Sequence, residues 1–259
     1  MTEFGYTCEP SLSHGHRDLY PFAGYRRFFY DQARVSWQHG PLTSVAETDY
    51  PVISTKRYIP ADLETLCAQA AAPFTFVIQH EPEDEISAGR LSISALAAQY
   101  ASARAIVDEA NGPVVGASAS LAVILNWRQG VKRGFKWSTL APVLELADVI
   151  GMDCYPDATD AARDVYTSAD EMFDPLAVLA DAYGKPFAVT EFGMTLASDG
   201  DGDRFATAMA GYFSYASLAG AEWLSYWCHD AAERDYHLDG NPDMAAGMRV
   251  LQGAIAATA

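Results

Sequence analysis

Short apolar runs alternate with stretches of helical spacing along the whole chain. The clearest runs are Tyr50–Ser54, Phe74–Gln79, Pro113–Ala117, Val149–Tyr155, Phe187–Phe192 and Trp223–Cys228. Runs this short, repeated between helical segments, predict strands of a parallel sheet whose crossovers are helices. Two weaker runs precede them, near Glu3–Thr7 and Arg27–Tyr30. Eight strands is the number that closes a barrel, so the pattern predicts an α/β fold, a single (β/α)8 TIM barrel.

The helical segments carry their own punctuation. Leu96, Tyr100, Ala103 and Val107 recur on one helix face, and Asn111-Gly112 stops that helix. Asp174-Pro175 predicts a helix start, with an N-cap aspartate and a proline in the first turn, and Gly184 closes it before Lys185-Pro186. Asp203 to Leu218 predicts another helix, rich in alanine and aromatics, ending at Gly220. Asn241-Pro242 opens a last one. No internal repeat, low-complexity tract or linker interrupts the pattern, so residues 1–259 are expected to form one domain.

Composition narrows the partners. Half of the residues are hydrophobic, enough for a large core. Against 17 basic side chains stand 34 acidic ones, a formal net charge of −17. Such a surface repels nucleic acid and anionic membranes, so neither partner is expected, and it suits neutral or cationic ligands. No apolar run approaches ~20 residues, and no basic-plus-apolar leader precedes Phe4. The expectation is a soluble monomer, either cytoplasmic or a secreted or phage-borne module read without its leader or neighbouring domains. Cys8, Cys67, Cys154 and Cys228 show no metal-binding spacing, and the apolar settings of Cys154 and Cys228 predict buried free thiols.

In parallel barrels the loops after the strands share one face, and functional groups gather there. The third run is followed by Lys56 and Arg57 and the fourth by His80-Glu81. Asn126-Trp127 comes after the fifth and Asp153-Cys154-Tyr155 ends the sixth. Glu191-Phe192-Gly193 ends the seventh, and Trp227 ends the eighth before His229-Asp230. Two glutamates at strand ends are the pair that glycoside hydrolysis needs. One donates a proton to the leaving oxygen, and the other attacks or supports the sugar carbon.

The segments QHEPED, GMDCYP, KPFAVTEFG and WLSYW resemble the ends of strands four, six, seven and eight of clan A glycoside hydrolases. A histidine directly before the first glutamate, where most of the clan has asparagine, is similar to glycoside hydrolase family 26, as is YPVISTK at the third strand. The resemblance runs from about Tyr50 to Asp230. It implies Glu81 as general acid/base, Glu191 as nucleophile and His80 as a positioner of the acid/base region. It also implies Tyr155 as the hydrogen-bond donor to the nucleophile and Trp227 as an aromatic floor under the sugar. Trp37 and Trp127 are further candidates for stacking on sugar rings. Family 26 enzymes act on β-linked mannans, mixed-linkage glucans and xylans with retention, so the resemblance implies a carbohydrate substrate and no metal or organic cofactor.

Two other readings stay open on the sequence: a carbohydrate-binding barrel with little or no turnover, part of a larger cell-surface or phage protein, and an inverting hydrolase. Glu83, Asp84 and Glu85 read as a solvated acidic rim around Glu81. Asp199-Gly-Asp-Gly-Asp203 begins like a calcium loop, but Arg204 and Ala210 stand where the loop needs glycine and a closing acid, so it reads as a turn and helix cap. His14 and His16 alone make no metal site.

Overall fold

The computed structural model describes residues 3–7, 25–30, 50–70, 73–112, 118–155, 166–194, 202–227 and 246, with residues 3–7, 25–30 and 227 described by their backbone alone. Its strands are β1 (Glu3–Thr7), β2 (Tyr25–Tyr30), β3 (Tyr50–Thr55), β4 (Phe74–Ile78), β5 (Ala119–Asn126), β6 (Val149–Cys154), β7 (Phe187–Phe192) and β8 (Trp223–Trp227). Every neighbouring pair is parallel, and β1 also pairs with β8, so the strand order closes on itself. All the C-terminal strand ends therefore lie on one face.

Helices connect the strands wherever the connections are described. Pro60–Gln69 (α1) follows β3. Pro82–Ser87 (α2) and Ile93–Ala110 (α3) follow β4. A π-helical turn, Arg128–Lys132, a 3₁₀ turn, Trp137–Leu140, and the short α4 (Ala141–Leu144) follow β5. Ala169–Ala182 (α5) follows β6 and Gly202–Leu218 (α6) follows β7.

Strand alternation sorts the core into two layers. Val52, Val77, Ala122, Ile124, Val149, Ala188 and Trp223 form one buried cluster, and it lines the inside of the closed sheet. The intervening residues, among them Ile53, Phe76, Leu121, Val123, Ile150 and Val189, join helix residues such as Leu96, Tyr100 and Leu176 in the larger cluster outside. Among the described residues, no helix is long and apolar enough to cross a membrane.

Most of the periodicity reading holds, with two corrections. The run Pro113–Ala117 lies outside the described residues, and the fifth strand is Ala119–Asn126. The helix expected to begin at Asp174-Pro175 begins at Ala169, so Pro175 sits inside it. An internal proline cannot supply an amide to the carbonyl four residues back, here that of Glu171. The Trp127 indole N–H donates to that same Glu171 carbonyl at 3.4 Å, which offsets the loss. Asp174, expected as the cap, instead accepts from the Tyr215 hydroxyl at 2.6 Å. The other helix readings agree: Leu96, Tyr100, Ala103 and Val107 are the buried face of α3, and Gly184 takes a left-handed φ of 61° where α5 ends. Of the helix opened by Asn241-Pro242, Ala246 alone is described, and it is helical.

Candidate active site

The end of β4 leaves regular geometry at once. Gln79 and Glu81 both have φ of 53°, a left-handed conformation that non-glycine residues seldom take. Each such residue costs about 1–3 kcal/mol and persists only where its surroundings impose it. The surroundings here are explicit. The Gln79 amide donates to Thr55 of β3 at 2.7 Å, and the Glu81 amide donates to Ile124 of β5 at 2.9 Å. The exposed Lys56 ammonium donates to the main-chain carbonyl of His80 between them. His80 itself is half-buried, and Pro82 starts α2 directly after Glu81.

Asn126, the last residue of β5, reaches across to this turn. Its side-chain Nδ2 donates to Glu81 Oε1 at 2.9 Å, and its Oδ1 accepts the Gln129 amide at 3.1 Å. A main-chain N–H can only donate, so the Asn126 amide is held with its NH2 end toward Glu81. The sequence pattern puts Asn126 at a strand end but does not reveal this role.

Glu83 overturns the solvated-rim expectation. It is 0 % exposed. Its Oε1 accepts the Asn126 main-chain N–H at 3.0 Å and the Trp137 indole N–H at 2.7 Å. Burial pushes its carboxyl up to about 7, against the downward pull of these hydrogen bonds and with the charge of Asp84 adding to the rise. Asp84 accepts from the Gln129 side-chain amide, and Glu85 pairs with Arg90 at 2.6 Å. Both are half-buried, so the rim is smaller than the sequence suggests.

At the end of β7 the device is different. Met152 of β6 stands opposite Val189, but the next residue, Asp153, stands opposite Glu191. Against β8 the register runs from Val189–Leu224 to Phe192–Tyr226, three residues on β7 facing two on its partner. Both registers place one extra residue in β7 at Thr190–Glu191, a β-bulge. Ala188 lies in the inner cluster and Phe192 in the outer one, so regular alternation would turn Glu191 outward. The bulge brings both Thr190 and Glu191 inside. The Thr190 hydroxyl donates to Asp153 Oδ1 at 2.7 Å, and the Tyr155 hydroxyl donates to Glu191 Oε2 at 2.6 Å.

Gly151 makes room for this arrangement. A Cβ there would lie 2.6 Å from the Thr190 methyl, closer than any real contact. Glu191 is 7 % exposed, a burial that a charged carboxylate tolerates only with donors in place. The Tyr155 phenol is pushed well above its ordinary value, first by burial and then by the charges of Glu191, Asp153 and Glu81. It therefore keeps its proton and stays a donor. The charges of both glutamates bear on this one phenol, that of Glu81 the least. Cys154, buried and free beside them, is likewise pushed well above a normal thiol, first by burial and then by Asp153 and Glu191, so it is no nucleophile.

The remaining candidates fare differently. Trp127, expected to stack on a sugar, is 2 % exposed in the core, with its N–H spent on Glu171 and Lys132 4.9 Å above its ring. It is a structural residue, and its face is not offered to a ligand. Trp227 closes β8, paired with Thr7 of β1. Trp37, His14, His16, Cys8, Cys228 and the stretch 199–201 lie outside the described residues. Cys67, like Cys154, is buried and free. Among the described residues, no three His, Cys, Asp or Glu side chains are grouped to hold a metal.

No protein-family model matches the chain, and no curated protein is similar to it in sequence. Solved structures do match. A modular endo-β-1,4-mannanase from Cellulomonas fimi, of glycoside hydrolase family 26, superposes with a TM-score of 0.62 at 16 % identity, over 95 % of this chain and 70 % of that one. The catalytic domain of a family 26 endo-β-1,4-mannanase from Bacillus sp. JAMB-750 gives 0.63 at 12 % identity, over 96 % and 85 %. An exo-β-1,4-mannosidase from Opitutaceae bacterium strain TAV5 gives 0.63 at 12 % identity, over 98 % of this chain and 60 % of that one. At these identities the likeness is one of fold alone: the chain shares the barrel architecture of these three enzymes.

Proposed function

We propose that the protein is a retaining glycoside hydrolase that cleaves a β-linked glycan by double displacement, on a complete (β/α)8 barrel formed by one domain of residues 1–259. The observation that carries this reading is the pairing of Tyr155 with Glu191 at one strand end and of Asn126 with Glu81 at another, on the same face of a closed parallel sheet. Glu191, held ionised by a phenol that donates to it, attacks the anomeric carbon. Glu81 gives its proton to the departing oxygen, the glycosidic bond breaks, and a glycosyl ester forms on Glu191. Glu81, now a carboxylate, takes a proton from water, which attacks the same carbon and releases Glu191. His80 supports the acid/base turn, and Trp227 and Trp37 are the aromatic candidates for holding sugar rings. This chemistry calls on no metal or organic cofactor. The names of the matching structures make β-1,4-mannans the first substrates to test.

The test is labelling by 2-fluoro β-glycosyl fluorides followed by peptide mapping. The expected result is a slow, one-to-one mass increase on Glu191. A protein that binds mannan or another β-glycan but takes no label on any fluoride is a binding module, and release of product with inverted configuration sinks the retaining mechanism. Retention also requires the two carboxyls to stand about 5–5.5 Å apart when substrate is bound, against about 6.5–9.5 Å for inversion.

A further inference from the structure

Glu83 lies two residues from the proposed proton donor, yet it is sealed from solvent and so out of a substrate's reach. Its Oε1 takes two donors of different origin, the main-chain N–H of Asn126 and the indole N–H of Trp137. The first of these bonds fixes the tip of β5. The side chain of that same Asn126 holds Glu81 Oε1. The carboxyl and the proton donor are therefore joined through one residue, by its backbone on one side and its amide on the other. The second donor is placed closely by the local fold. Trp137 presses so tightly on Gly130, in the π-helical turn, that a Cβ at 130 would sit 2.1 Å from the indole ring. A side chain there would push the indole off Glu83.

Resting on the glycosidase reading above, we infer that Glu83 is a positioning residue for proton donation: with Trp137 it locks the end of β5, so that Asn126 holds the Glu81 carboxyl, in its left-handed turn, where the leaving oxygen will be. The turn needs such a lock, because two non-glycine residues in it are held in a conformation they would otherwise leave. Burial favours the neutral form of the Glu83 carboxyl, and the oxygen of a neutral acid or amide still accepts both N–H groups. An acceptor is what the position requires, and a charge is not.

That distinction sets the experiment. kcat/KM reports the first chemical step, and it is measured on an unactivated β-glycoside, whose leaving group must be protonated, and on a dinitrophenyl β-glycoside, whose leaving group needs no proton. Glu83→Leu keeps the bulk and deletes the acceptor. It is expected to lower kcat/KM on the unactivated substrate by about 10- to 100-fold, the scale of a misplaced catalytic group, and to change the dinitrophenyl value less than about threefold. Glu83→Gln restores the acceptor and is expected to stay within about threefold of wild type on both. Equal losses on both substrates would mean general damage and overturn the inference, as would an unchanged Glu83→Leu. Should Glu83→Leu not fold, Trp137→Phe removes one of the two bonds and must show the same selectivity at a few-fold level, or the inference fails. The parent reading is judged separately. If wild type cleaves the dinitrophenyl glycoside and Glu81→Ala shows leaving-group selectivity while the Glu83 and Trp137 variants do not, only this inference falls. If wild type cleaves neither substrate, both fall.

Discussion

The ends of β4 and β7 present the same side chain in two unlike settings. Glu81 stands beyond its strand, on a left-handed turn stitched to both neighbouring strands, and its carboxyl meets a neutral amide. Glu191 stays within its strand, turned inward by a bulge, and its carboxylate meets a phenol that burial and nearby charges keep protonated. A phenol donor 2.6 Å away stabilises negative charge strongly, which suits the proposed nucleophile. A side-chain amide at 2.9 Å holds charge less firmly, which suits the proposed proton donor. On the proposed assignment, role follows setting, since nothing in the side chains distinguishes the two.

The sharpest way to break that comparison is to delete each carboxyl in turn. Glu191→Ala should lose at least about 10⁴-fold in kcat on every substrate, because no ester can form. Glu81→Ala should lose about 10²–10⁴-fold on unactivated glycosides, the usual worth of a general acid. On a dinitrophenyl glycoside the same variant should give a burst of dinitrophenol followed by slow turnover. Azide should then accelerate that turnover and yield a β-glycosyl azide. A β-azide and faster turnover from the Glu191 variant, with none from the Glu81 variant, would reverse the assignment.

A milder perturbation concerns the phenol. Tyr155→Phe should fold normally and lose about 10–150-fold in kcat, matching the 1.5–3 kcal/mol typical of a hydrogen bond to a charged group. Wild-type kcat in this variant would remove Tyr155 from the mechanism.

The smallest effect on turnover, with a separate one on stability, belongs to Glu83→Gln. Below pH 4.5 the Glu83 carboxyl is neutral whether the chain is folded or not. Between 4.5 and about 7 the unfolded chain ionises first and gains by it, so the folded state loses stability; above 7 both states are ionised and the loss is complete. Glutamine has no such loss. In urea unfolding at pH 4, 5.5 and 8, the variant should therefore gain on wild type with rising pH, by about 3 kcal/mol at the end. A constant difference across that range would show that Glu83 is not held neutral by the fold.

Much of this architecture is legible in the amino-acid order. Phe187–Phe192 stands out because Lys185-Pro186 and Gly193 bracket it, and the strand has those bounds to the residue. The placement of Glu81 just past β4 and of Glu191 near the end of β7 follows from the apolar runs alone. What escapes the sequence has tertiary causes. Ala119–Asn126 runs straight into a helical turn with no glycine or proline to mark its end, so the apolar pattern misplaces β5. Asp174-Pro175 is a strong helix-start signal, and only a distant indole makes the proline tolerable inside α5. Glu83 looks like any surface acid until Asn126 and Trp137 are seen around it. Trp127 looks like a sugar platform until its burial is known.

The bulge in β7 has one more consequence, best put in the language of a reading frame. An ordinary strand spells one inward letter, then one outward, and can never show two consecutive inward letters. The extra residue at Thr190–Glu191 is a frameshift that permits two in succession, one for Asp153 and one for Tyr155. Lengthening and shortening the strand are then unequal edits. Deleting Thr190 returns the strand to its ordinary frame with Glu191 still inward and Phe192 still outward, at the cost of the hydroxyl on Asp153. Inserting one residue after Glu191 turns the Phe192 ring out of its aromatic pocket beside Phe173 and Tyr212 and into the barrel.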